Sequence, residues 1–337
     1  MSAAAAFLDQ LLRDGHVRHP GARLIPLAGG VSSDIYLVED GEQRFVVKRA
    51  LPRLRVADEW RADVGRNATE RAFLDCVGRW RPDAVPRVLF ANPEAGYFGM
   101  EYLGEGYQNW KQRLLGGVFV TAHATKAGSV IGEIHRRTAG DLEIRERFDT
   151  TPSFHQLRTA PYLLRTAERQ PALRDWILAE AARLEATREC LVHGDFSPKN
   201  ILIAAGRLVL LDCEVAWYGD PAFDVAFLLN HLLLKRLFHA PAGGELAGLI
   251  AAFWEAYQTA RPGTDISLEQ RVTGLLPLLL LARVDGKSPV EYLKPERQEF
   301  VRQFVFGLSA RRPGSLRGII SEWFDATGTL PPGSAAL

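Results

Sequence analysis

The sequence predicts an α+β protein in which a strand-rich first part is followed by a helix-rich second part. Three observations carry this. Residues 23–50 alternate short apolar runs with turn residues (RLIPLAGG, DIYLVEDGEQ, RFVVKRA), the pattern of three antiparallel strands. Two more strand-like runs follow near 87–91 and 97–102, which makes a five-stranded antiparallel first part. From about residue 107 onward the apolar residues recur at helical spacing, interrupted only by short strands near 190–220.

Taken in order, MSAAAAFLDQLLRDG reads as a short helix; it lacks a basic leader segment and carries Asp9 early. Asp40-Gly41 is a hairpin turn between the second and third strands. A helix is expected over 66–80, with Asn67 as its cap and Glu70 three positions on. Further helices are expected over 120–139, 171–186, 221–238, 243–260, 267–284 and 295–309. Gly104 and Gly106 mark a hinge, so the expected domains are 1–103 and 104–330. The apolar stretches 225–234 and 275–284 are too short to span a bilayer and read as buried core helices.

Composition narrows the function classes. The chain has 337 residues, 47% hydrophobic and 24% charged, as in an ordinary globular protein. Forty-one Lys and Arg against 40 Asp and Glu leave a net charge of +1, which demands neither a nucleic-acid nor a membrane partner. Three scattered cysteines (Cys76, Cys190, Cys213) form no disulfide framework or zinc pattern, so a reducing, cytoplasmic setting is expected.

The most informative segment is LVHGDFSPKNILIAAGRLVLLDCE, residues 191–214. An Asp in H-G-D with an Asn five positions later reproduces the spacing of the kinase catalytic loop. In that arrangement Asp195 takes the proton of the attacking hydroxyl, while Asn200 and Asp212 hold magnesium. Phosphoryl transfer needs such a set, because negative charge must be neutralised and the nucleophile aimed at phosphorus. Glu214 lies two residues beyond Asp212. On extended backbone both carboxylates point to one side, which suits a hard cation or a substrate contact.

Other residues fall into the same frame. Gly29, Gly30, Ser32 and Ser33 join the first two strands and read as a loop whose amides approach phosphates, or simply as a turn. Lys48 ends the third strand and either clamps the α- and β-phosphates or reaches to solvent. Its expected partner is Glu70, with Glu59 in the intervening insertion as the alternative. Met100, Glu101, Tyr102 and Leu103 end the fifth strand and are expected to offer backbone groups to an adenine edge. His193 braces the catalytic loop rather than serving a nucleophile. Asp224 accepts backbone amides and Asp220 caps a helix. His135, His231 and His239 share no metal spacing and read as structural. Arg283, Asp285 and Lys287, after the apolar run GLLPLLLLA, either end a solvated helix or line a polar substrate cleft, with Arg283 and Trp217 as substrate contacts.

These residues resemble the aminoglycoside phosphotransferase superfamily, which shares the protein-kinase-like bilobal fold and also holds choline, homoserine and methylthioribose kinases. The resemblance runs from PLAGGVSSDIYLV to LLLLARVDGKSPVEYL. Within the superfamily the chain is most similar to the methylthioribose kinases, through KRALPRLRVADEW, PRVLF…GMEYL, and Asp212 and Glu214 followed by WYGDPAFDVAFLLNHLL. The resemblance implies an ATP- and magnesium-dependent transfer to a hydroxyl of a small, sugar-like molecule. Where those kinases carry paired arginines on a C-terminal helix, this chain has Ala282-Arg283, which implies an acceptor other than methylthioribose or poor use of it. An aminoglycoside or amino-alcohol acceptor is the alternative. So is a nucleotide-binding protein without transfer activity. A metal hydrolase built on His193, Asp195, Asp212 and Glu214 leaves Lys48 and the glycine loop without a role. The lack of a D-F-G or A-P-E between Asp212 and the next helix argues against a protein kinase.

Overall fold

The computed structural model describes residues 3–27, 33–50, 65–263, 266–311 and 314–331. By contacts the chain forms two compact units. The first holds Met1–Tyr107 together with Leu211–Glu214; the second holds Gln108–Leu210 and Val215–Leu337. The sequence puts the division at 103/104 in one uninterrupted stretch and does not show that the short segment after Leu210 belongs with the first unit.

The first unit opens with α1 (Ala3–Arg13), followed by β1 (Arg23–Pro26), β2 (Ser33–Asp40) and β3 (Gln43–Ala50). Then come α2 (Arg66–Gly78), β4 (Val88–Asn92) and β5 (Tyr97–Glu101). The strands form one antiparallel sheet in the order β1-β2-β3-β5-β4. Side chains alternate across it. Tyr36, Val38, Phe45 and Val47 face a cluster closed by Phe7 and Leu11 of α1. The residues between them, Leu37, Val46 and Lys48, therefore share the opposite face, and they are buried as well. Asn67 does not cap α2. The helix starts after Gly65, and the Asn67 amide donates instead to the carbonyl of Gly96 at 2.7 Å.

The second unit begins with β6 (Gln108–Asn109), α3 (Trp110–Leu115), α4 (Thr121–Thr138), α5 (Leu142–Arg147) and α6 (Thr151–Phe154). A π-helical stretch, His155–Leu164, leads into α7 (Arg165–Arg169). Pro161 sits inside it; it has no N–H to donate and its ring crowds the preceding turn, which favours the wider winding. Next are α8 (Arg174–Ala186), β7 (Cys190–Val192), β8 (Ile201–Ala204), β9 (Arg207–Leu210) and β10 (Trp217–Gly219). The unit closes with α9 (Ala222–His239), α10 (Leu246–Ala260), α11 (Ile266–Asp285), α12 (Pro295–Arg311) and α13 (Leu316–Gly328). Strand β7 pairs with β10, and β8 pairs with both β6 and β9.

Both apolar stretches flagged in the sequence are core helices. Every residue of α9 from Ala222 to Leu237 is buried, as are Leu275–Leu276 and Leu278–Arg283 of α11. Among the described residues no helix is long and apolar enough to cross a membrane.

Candidate active site

In the first unit, Lys48 of β3 lies on the sheet face that meets α2. Its Nζ is 2.6 Å from Glu70 and 2.6 Å from Asp212. Glu70, on the second turn of α2, is thus the partner of Lys48; Glu59 lies outside the described residues. Asp212 reaches the lysine from the segment after β9, and it is the one non-glycine residue with positive φ among the described residues, at 60°. The pair of acids at 212 and 214 therefore does not sit on extended backbone. It is brought together by a left-handed turn, a conformation that Asp tolerates better than most residues. Glu214 is buried and pairs with the buried Arg66 at 3.3 Å.

Carboxylate oxygens of Glu70, Asp212 and Glu214 lie within 4.8 Å of one another. Burial pulls the Lys48 ammonium down, but Asp212, Glu70 and Glu214 outweigh it and hold the lysine well above its ordinary range. Burial raises Glu70 to about 7 against the pull of Lys48, with Asp212 and Glu214 adding to the rise. Three clustered acids outnumber their two cations, Lys48 and Arg66, which favours a further positive charge, and hard oxygen ligands suit a divalent cation. Asp212 is the accessible member, its side chain 26% exposed, whereas Glu70 and Glu214 are closed off.

Ser33 starts β2 and is buried, and its hydroxyl has no hydrogen-bond partner among the described residues. Gly29, Gly30 and Ser32 lie outside the described residues. At the end of β5, Met100 is buried and the Glu101 amide donates to the Arg87 carbonyl at 2.9 Å. That amide is committed, which narrows the expected backbone contacts to Tyr102 and Leu103. Tyr102 stacks under the guanidinium of Arg44 at 4.6 Å.

In the second unit the H-G-D loop is held from below by Asp224 of α9. Asp224 Oδ2 accepts from the His193 amide at 2.7 Å and Oδ1 from the Gly194 amide at 3.0 Å. His135 also donates to this carboxylate, at 3.2 Å. Gly194 has φ +77°, and a Cβ there would stand 2.4 Å from the Val215 carbonyl oxygen, so only glycine fits. The imidazole of His193 accepts from the Asp195 amide at 3.2 Å. His193 and Asp224 are therefore braces, as their positions in the sequence suggest. Asp220 accepts from the Ala222 amide at 2.9 Å, a cap at the start of α9.

Asp195 itself is gripped by a residue the sequence gives no reason to single out. Arg158, from the π-helical stretch, places Nη2 2.9 Å from Asp195 Oδ2 and donates through Nε to the Gly194 carbonyl at 2.6 Å. Asn200 donates its side-chain amide to the Asp195 carbonyl at 3.1 Å. Both contacts fix the loop that aims the carboxylate.

A cavity opens beside Asp195, lined by Lys111, Lys199, Lys235, Arg283 and Glu291, with Tyr162, Tyr292 and His231 among its walls. Arg283 thus faces the same cavity as Asp195. It is buried, and it donates to the Tyr162 hydroxyl at 3.2 Å and to the hydroxyl and carbonyl of Ser288. Asp285 points elsewhere, into an ion pair with Arg302 at 2.8 Å. His231 is a wall of the cavity rather than a purely internal histidine. Sequence reasoning missed Lys111, Lys235 and Arg158; a lysine inside the apolar run of α9 was the one available signal. Trp217, expected at the substrate, is not in the lining of this cavity. It is fully buried on β10, stacked on Phe154 at 4.1 Å and covered by Arg188 at 4.9 Å, so it is core and offers no face to a substrate.

The chain is 25% identical over 228 residues to methylthioribose kinase of Pectobacterium atrosepticum, a match over 58% of this chain and 56% of that protein. It is 24% identical over 263 residues to methylthioribose kinase of Yersinia pseudotuberculosis, over 69% of this chain and 64% of that protein. The chain thus spans little more than half the length of several curated relatives it matches. Among solved structures, amicoumacin kinase hAmiN in complex with AMP-PNP, Ca2+ and Ami superposes with a TM-score of 0.61 at 14% identity, over 93% of this chain and 96% of that one. A choline kinase from Cryptosporidium parvum gives 0.57 at 13% identity, over 95% and 99%. These likenesses give the fold, an α+β kinase-like fold. The model of the phosphotransferase enzyme family APH matches residues 23–265, and the chain belongs to that family.

Proposed function

We propose that the protein is an ATP-dependent kinase that moves the γ-phosphoryl group onto a hydroxyl of a small, sugar-like molecule. The observation that carries this reading is the H-G-D loop, with the Asp195 carboxylate held by Arg158 at the edge of a polar cavity. A hydroxyl in that cavity gives its proton to Asp195 as its oxygen bonds to the γ-phosphorus; the bond from that phosphorus to the bridging oxygen breaks, and ADP leaves. Lys48, kept charged by its carboxylate neighbours, is the group that meets the nucleotide phosphates, and Glu70 holds it in place. Ser33 and the glycines before it would cover those phosphates, and the strand end at Tyr102–Leu103 would meet the adenine through backbone groups.

Asp212, with Glu214 behind it, is the residue set proposed for a divalent cation, magnesium in this reading, and Asn200 follows from the motif as a further oxygen ligand. When bound, the ion supplies positive charge to the phosphate oxygens. Glu214 is proposed as a support rather than a direct ligand, because Arg66 already engages it. The relatives named methylthioribose kinase favour a sugar-like acceptor, and Ala282 beside Arg283 favours one that is not methylthioribose itself.

The test is an ADP-release assay against methylthioribose, pentoses and their acids and phosphates, amino alcohols and aminoglycosides, with and without magnesium. Acceptor-dependent ADP release that needs the metal and is lost in Asp195→Asn supports the reading. ATP binding without acceptor-dependent ADP release from any of these compounds would overturn it in favour of a non-catalytic nucleotide binder.

A further inference from the structure

The cavity beside Asp195 carries an excess of buried positive charge. Lys111 is neutralised by Glu291, with which it forms an ion pair. Lys235 forms no ion pair among the described residues. It is 1% exposed, and its ammonium meets only the His231 carbonyl at 3.4 Å and the face of Tyr292 at 5.3 Å among the described residues. Arg283, 9% exposed, bonds to neutral partners only, Tyr162 and Ser288, and its Nε has no hydrogen-bond partner among the described residues. Lys199 adds a third cation to the lining. Burial and the neighbouring Arg283 and Lys235 hold His231 well below its ordinary range, so it adds no compensating group and registers the same positive field.

A charge taken out of water without a counter-ion is costly, and one wall holds both Arg283 and Lys235, whose proton is held only weakly until an anion stands beside it. A neutral sugar leaves that cost in place. A cationic acceptor, such as an amino alcohol or an aminoglycoside, adds repulsion to it. An anion removes it. We infer that the acceptor is itself anionic: a hydroxylated molecule whose carboxylate or phosphate seats on Lys235 and Arg283 while its hydroxyl faces Asp195. This rests on the reading of that cavity as the acceptor site. The planar fork of Arg283 and the point charge of Lys235 suit either anion, so the two sources are separated by experiment.

Calorimetric titration of the full chain without nucleotide, using ribose, ribonate, ribose 5-phosphate and glucosamine, tests it. At least one of the two anions is expected to bind tenfold or more tightly than ribose, with glucosamine weakest. Preference for ribonate names a carboxylate, and preference for ribose 5-phosphate a phosphate. That advantage should fall about tenfold in Lys235→Met and, independently, in Arg283→Gln, each checked for a native circular dichroism spectrum. In turnover with the preferred anion, Lys235→Met should raise the acceptor KM and leave the ATP KM unchanged. Equal binding of ribose and both anions overturns the inference, as does a Lys235→Met effect confined to the ATP KM. Anion binding with no ATP consumption would leave the anion site on Lys235 and Arg283 standing and remove the kinase reading. Efficient phosphorylation of neutral sugars with no anion preference would do the reverse.

Discussion

Arg158 Nη2 lies 2.9 Å from Asp195 Oδ2 although the two residues are separated by a strand and most of three helices. The proposed base is therefore aimed by a group outside its own loop. Asp195→Asn should leave nucleotide binding nearly intact and lower turnover by roughly two or more orders of magnitude, the scale of general-base loss. Arg158→Gln should lower kcat by a smaller factor, with little change in the ATP KM. Stopped-flow nucleotide binding together with steady-state rates decides this; near-normal turnover in Asp195→Asn sinks the assignment.

Lys48 and Glu70 form a buried pair at 2.6 Å. Lys48→Met should raise the ATP KM and cut kcat. Glu70→Gln should do part of the same damage. Because the two residues touch, the double variant should fall short of the sum of the singles by about 0.5–3 kcal/mol. Additive losses would show that Glu70 does not act through Lys48.

Asp212→Ala should abolish metal-dependent nucleotide binding, whereas Glu214→Gln should act mainly on stability. Glu214 is buried against Arg66, and removing one partner of such a pair costs about 3–5 kcal/mol. Denaturant unfolding of Glu214→Gln, set beside magnesium titration of both variants, separates the two roles. Unchanged magnesium-nucleotide affinity in Asp212→Ala would show that the site is misplaced.

Lys235 gives a pH signature. Burial, with Lys111 and Arg283 nearby, pushes its ammonium down from 10.5 to about 7. Between these values the unfolded chain binds the proton and the folded chain does not, so this group makes stability rise as pH climbs from about 7 toward 10. Lys235→Met should be the more stable protein near pH 7, and the difference should shrink by pH 9.5. Melting curves of both proteins across that range test it; a constant difference refutes it.

The parts of this molecule that are legible in the sequence are local in the chain or periodic. The strands of the first unit, the long helices, and the Asp195–Asn200 spacing could be read because neighbouring residues encode them. Lys48 and Glu70 could be paired because a strand and the helix after it meet in a known order. Arg158, Lys111 and Lys235 could not, because their roles depend on contacts between elements far apart in sequence. The segment 142–169 also hid its helices, since Pro152 and Pro161 interrupt the expected period. Trp217 belongs with Arg158, Lys111 and Lys235, because nothing local in the chain shows that on β10 its side chain faces Phe154 and the interior.

Helix α9 connects two of these features. Asp224, in its first turn, grips the H-G-D loop, and Lys235, eleven positions on, lines the cavity beside Asp195. At the rise of an α-helix they are about 16 Å apart on one rod that is buried along that whole length. The acid sits near the positive end of the helix and the ammonium near the negative end, so the backbone dipole favours both. The aim of the base and the depth of the cavity thus share a single mechanical member. A small cavity cut into its middle, as by Leu228→Ala, would disturb reaction rate and acceptor choice together.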